Sequence, residues 1–184
     1  MLSGEHVGLR AIEREDLAQL RDWRNDTAFR RHFREHRELS ALDQDAWFDR
    51  MNADPRQLMF AIVDRDEGRL VGASGLCFID WVNRNCDLSV YVGADGTYVD
   101  GRLAPDAART TLRYGFEELG LHRVWVEIYD FDEPKQKLLA DLGFQLEGRH
   151  REHHFTEGGW HDSLFYGLLA DEWSARSSAP IRSA

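Results

Sequence analysis

The chain has 184 residues, 42% of them apolar and six of them Trp, enough length and apolar content for one domain with a real core. Its formal net charge of -10 argues against sequence-independent nucleic-acid binding, which draws on cationic contacts to phosphate; the same charge suits solubility, or the steering of a cationic amine. No apolar run of about 18 residues occurs, so no membrane span is expected.

Residues 1–10 lack a charged start followed by an apolar run, so no secretory signal is expected. Cys77 and Cys86 read as two reduced thiols of a cytoplasmic protein. Val7, Leu9 and Ala11 alternate with other residues and predict a short strand. Leu17, Leu20 and Trp23 then fall at helical spacing within residues 13–23. Past the polar stretch 24–37, Ser40 is placed to cap a second helix holding Leu42, Trp47, Phe48 and Met51, closed by Pro55. Residues 58–63 and 70–79 are apolar runs of strand length around the polar turn 64–68, a hairpin signature. After a turn at 81–85, Leu88, Val90 and Val92 alternate with Asp87, Ser89 and Tyr91 as a third strand.

The pattern then changes period. Ala104, Ala108, Leu112 and Phe116 make one stripe of a helix over 104–119, with Pro105 in its first turn and Gly120 as its stop. Val124, Val126 and Ile128 form one face of a strand over 122–129, and a short helix over 133–142 ends at Gly143. Two last strands, near 144–148 and 163–169, flank a polar excursion containing Gly158 and Gly159. Residues 174–184, rich in Ser, Arg, Ala and Pro, read as a flexible tail, leaving one domain over 1–173. A meander followed by a βαβ crossover predicts a mixed α/β sheet of about seven strands with helices on both faces.

Specific words lie along this order. They are Asp22-Trp23-Arg24-Asn25, Ile79-Asp80-Trp81-Val82-Asn83, the run from Tyr114-Gly115-Phe116 through Leu121-His122-Arg123-Val124, Leu142-Gly143-Phe144, Gly148-Arg149, and Gly167-Leu168-Leu169 with Glu172-Trp173. Together they resemble the GNAT N-acetyltransferases, and most of all the branch with the ribosomal-protein alanine and nucleotide-sugar amine acetyltransferases. The resemblance covers residues 7–173. It implies acetyl-CoA, or another acyl-CoA, as co-substrate, and a primary amine of a small molecule or a protein N-terminus as acceptor. A monomer or homodimer is expected.

It also implies roles. The strand backbone at Val90, Tyr91 and Val92 would take the pantetheine arm, and backbone donors from Gly101 through Arg102 and Leu103 to Ala104 the pyrophosphate, because a helix N-terminus offers unpaired N–H groups and a favourable dipole. Asp132 stands where the family has an Asn beside the cofactor. Asp87 aligns with a general base that removes the amine's proton, and Glu127 is the second choice. Trp23, Arg24 and Trp81 are acceptor-side expectations.

Departures from the family pattern are equally legible. Leu103 replaces a small residue in the loop, Asp100 brings negative charge to an anion site, and Arg102 is the compensating cation. Leu139 takes the place of the Tyr that protonates the departing thiolate, leaving Tyr98, Tyr129 or water. A repurposed fold that does not use acetyl-CoA is therefore the alternative expectation. His150, His153, His154 and His161 fit no zinc spacing and read as a solvated or substrate-lining segment, with no metal expected. The basic run 30–37 reads as a surface loop before a contact for an anionic substrate part such as a nucleotide sugar; in the family this segment covers the acceptor site.

Overall fold

The computed structural model describes residues 1–177. A two-residue strand, β1 (Leu2–Ser3), precedes β2 (Val7–Ala11). A 3-10 turn at 14–16 feeds α1 (Leu17–Asn25). A short helix, α2 (Thr27–Arg30), stands within the polar stretch 24–37, because the Asp26 carboxylate accepts from the Ala28 N–H at 2.8 Å and caps it. Helix α3 (Ala41–Ala53) begins at Ser40 as expected, through a reciprocal capping box with Asp43.

Strands β3 (Leu58–Asp64), β4 (Leu70–Asp80) and β5 (Asn85–Val92) form the antiparallel meander. Helix α4 (Leu103–Arg113) starts one residue earlier than expected, and the stripe continues through a π-helical turn at 114–118. Gly120 stops it in the left-handed conformation at φ +67. Strand β6 (Arg123–Tyr129) leads to α5 (Glu133–Leu142), closed by Gly143 at φ +94. Strands β7 (Gln145–Thr156) and β8 (Gly159–Leu169) make the last hairpin, and α6 (Ala170–Ser177) follows at once. Four residues expected to open the tail, 174–177, thus belong to a helix; residues 178–184 lie outside the described residues.

All eight strands join one sheet in the order β1-β2-β3-β4-β5-β6-β8-β7. That is one more than expected, since the two-residue β1 has no pattern to read. Alternation along β5 serves both layers. Leu88, Val90 and Val92 belong to the core with Ala104, Ala108 and Leu112 of α4 and with Leu138 and Leu139 of α5. Tyr91 belongs instead to the core with Leu17, Leu20, Phe48 and Met51 of α1 and α3. The Asp106 carboxylate fixes the start of the chain to α4, accepting from the N–H groups of Glu5, His6 and Val7 at 3.2, 2.7 and 3.0 Å.

One pairing decides where a site can form. β5 and β6 are parallel and share three rungs: Asn85 with Arg123, Cys86 with Val124, and Asp87 with Trp125. Both strands continue past Asp87, but no further rung joins them. The sheet is forked there.

Candidate active site

A cavity of about 260 Å³ opens at the fork. Its walls come from Leu88 to Tyr91 of β5 and Val126 to Tyr129 of β6, with Leu20 and Arg24 of α1 on one side and Lys135 of α5 on the other. The segment between α2 and α3 closes it with His32, Phe33 and Arg34.

Asp87, expected as the base, sits at the crotch of the fork and is only 5% exposed. Burial, the largest influence, raises its carboxyl to about 6, against the opposing pull of Arg34. It is therefore ionised at neutral pH yet basic enough to accept a proton. Glu127 lies across the gap on β6. The Arg34 guanidinium bridges the two, with Nη1 2.7 Å from Asp87 Oδ2 and Nε 3.2 Å from Glu127 Oε2. His153 of β7 approaches the other oxygen of Glu127 at 3.3 Å and lies 2.9 Å from Ser163 Oγ.

Lys135 was not anticipated. Its amine is buried and donates to the carbonyl of Val90, 5.2 Å from the centre of the Tyr98 ring. Burial lowers it to about 8. A signal was present: Lys135, Leu138, Leu139 and Leu142 follow one helical stripe, so the lysine opens an otherwise apolar face. Leu139, expected to replace a tyrosine acid, is wholly core. The Tyr98 hydroxyl donates to Asp132 at 3.4 Å, and burial followed by Asp132 holds its proton well above the ordinary tyrosine range. Burial likewise lifts Tyr129 to about 12. Neither tyrosine is a ready acid.

At the expected cofactor loop, the backbone of Val90 faces the gap and that of Val92 donates to Tyr98 O at 3.0 Å. The Asp100 carboxylate does not point away from the helix start. It accepts from Leu103 N–H at 2.9 Å and Ala104 N–H at 2.7 Å, two of the donors expected for pyrophosphate. Arg102 is turned to Asp66 at 2.5 Å and Asp64 at 3.6 Å. Gly101 has open space where a side chain would stand, and Leu103 is buried. Asp132 caps α5 by accepting from Lys135 N–H at 3.2 Å, and lies 3.2 Å from His32 Nδ1.

The acceptor-side residues divide. Arg24 reaches the cavity, 5.7 Å above the Phe33 ring. Trp23 packs against Gly93, where any side chain would collide with its indole. Trp81 lies on the β4–β5 turn, half exposed, with its indole N–H toward Pro55 O at 3.3 Å, and takes no part in the cavity wall. Among the described residues no group of His, Cys, Asp and Glu is arranged for a metal ion. His154 stacks on Tyr129 at 3.6 Å, and His161 lies 3.2 Å from Asp130.

The mixed sheet with its helices agrees with comparison to known proteins. The family model described as "Acetyltransferase (GNAT) domain" matches residues 6–145. The chain belongs to the GNAT acetyltransferase family. Acetyl-CoA is the co-substrate of GNAT acetyltransferases. Among relatives, an uncharacterized SPbeta prophage-derived N-acetyltransferase of Bacillus subtilis, YokL, is 28% identical over 93% of this chain and 94% of its own. Spermidine N(1)-acetyltransferase of Escherichia coli is 23% identical over 98% of this chain and 95% of its own. The crystal structure of spermidine N-acetyltransferase from Vibrio cholerae, in complex with CoA and spermine, superposes with a TM-score of 0.85 at 21% identity, covering 92% of this chain and 98% of that one.

The GNAT donor fits at the strand end, where β5 past Asp87 has no strand partner in β6. At the helix end the Leu103 and Ala104 amides are already taken by Asp100.

Proposed function

We propose that this GNAT chain acetylates a primary amine of a small cationic molecule. The observation that carries the reading is the pair of carboxylates, Asp87 and Glu127, facing each other across the fork with one cation between them. An acceptor arriving as an ammonium is held by both. Asp87, raised to about 6 by burial, takes the proton, and the free amine attacks the thioester carbonyl. Lys135 keeps a cation at the free edge of β5, where charge builds on the departing sulfur. Relatives named for spermidine support a small polycation, and relatives named for ribosomal proteins make a protein N-terminus the competing acceptor.

The test is CoA release with acetyl-CoA against spermidine, spermine, a simple monoamine and an alanyl peptide. The expected order places the polyamines first in kcat/KM. Preference for the peptide replaces the acceptor assignment. One observation favours a second reading, a repurposed fold: Asp100 already fills two of the loop donors. Calorimetry separates the two, since no binding at millimolar acetyl-CoA removes the acetyl-transfer reading altogether.

A further inference from the structure

Arg34 belongs to none of the family-like words, yet it is the residue most fully engaged at the fork. Besides its contacts to Asp87 and Glu127, its guanidinium carbon lies 5.7 Å from the ring centre of Phe78 and 5.8 Å from that of Trp125. The two rings are stacked with centroids 6.3 Å apart. Phe78 is 56% exposed and holds φ +53 within the irregular end of the β4–β5 ladder. A bulky residue in the left-handed region is strained, and here the strain sets an aromatic ring beside Trp125 instead of in the core.

A buried carboxylate, a partly buried one on the adjacent strand and a wet aromatic ledge make a receptor for an organic cation, through charge-assisted hydrogen bonds and cation–π attraction. Such a receptor needs no cation from its own chain. Arg34 nevertheless enters it, carried by the segment between α2 and α3, with its side chain still 43% exposed against 6% for Asp87.

We propose that Arg34 is a built-in occupant of the acceptor's cation site, and that an acceptor bearing an ammonium or guanidinium group binds by displacing it from Asp87 and Glu127. The word acceptor rests on the acetylation reading; the site and its occupant do not. Displacement also prepares the base. The groups facing Asp87 are Cys77 of β4, Glu127 and Tyr129 of β6 and Lys135 of α5, with His153 of β7 behind Glu127. Arg34 opposes proton uptake by Asp87 more than any other charge among them. Its departure hands Asp87 to the arriving ammonium, whose proton the carboxylate can take, whereas a guanidinium gives up none.

Calorimetry of the full chain with methylguanidinium, and separately with spermidine, tests this without an acyl donor. Arg34→Gln is expected to tighten both roughly five- to twentyfold, since a site closed most of the time shows its intrinsic affinity only in proportion to the open fraction. Arg34→Met, uncharged and of similar length, repeats the test should the first variant fold poorly. Arg34→Lys keeps the internal cation and stays within about twofold of the parent. Arg56→Gln, which loses only a contact with Asp54 outside the cavity wall, changes nothing. The acid limb of kcat/KM moves to higher pH in Arg34→Gln. Unchanged or weaker probe binding in folded Arg34→Gln and Arg34→Met overturns the proposal, whereas tighter binding with no acetylation of any amine leaves it standing and removes the acetyl-transfer reading.

Discussion

Out of water at the crotch of the fork, the Asp87 carboxylate titrates near 6, above the ordinary range, so its protonated form is favoured by folding. The stability it contributes is complete below about pH 4 and is lost as the pH rises through about 6. At neutral pH the protein therefore carries a destabilising charge at the place where chemistry needs a base. Asp87→Asn is expected to gain roughly 1–3 kcal/mol in thermal unfolding at pH 8 and almost nothing near pH 4. The same variant is expected to lose about 10²- to 10⁴-fold in kcat, with acetyl-CoA binding retained. The parent's kcat/KM should fall as the pH drops through about 6. Equal stability of parent and variant at both pH values would sink the buried-base account. A loss of cofactor binding in Asp87→Asn would reassign the residue.

Helix α4 starts against a carboxylate of its own chain. Asp100 satisfies two N–H groups of the first turn, and so caps the helix from within. Asp100→Ala is expected to lower stability by about 0.5–2 kcal/mol and to tighten acetyl-CoA roughly fivefold or more by calorimetry. Weaker acetyl-CoA binding would place the pyrophosphate elsewhere. At this scale the sequence was readable where periodicity or capping chemistry was local. The stripe of α4, the Ser40 cap and the meander of β3 to β5 all stand as expected. What escaped was set by tertiary burial. The orientation of Asp100 depends on which amides lie within reach, and the role of Lys135 on the gap that β5 and β6 leave for it. Trp81 belonged to a matching word, yet its turn points it toward Pro55 instead of the cavity. Arg34 stood in a basic run without periodicity, so only the folded chain shows which of its cations turns inward.

Over the whole molecule the net charge of -10 draws cations from a distance, while the fork holds them at contact range. Raising salt from about 0.05 M to about 0.5 M shortens the reach of the first effect and leaves most of the second. The KM for spermidine is expected to rise across that range by more than the KM for a monoamine, with kcat unchanged; parallel rises would deny steering. The fork has a consequence of another kind. Three rungs hold β5 to β6, and past them each strand keeps a margin without a strand partner inside one sheet. Sheet margins on a protein's rim invite other chains to pair with them, and here the invitation is folded inward, between helices. Whatever enters is read as a missing strand would be, by the rhythm of donors and acceptors along its length. A thioester carried on a chain of amides can answer that rhythm; one carried on a plain hydrocarbon cannot.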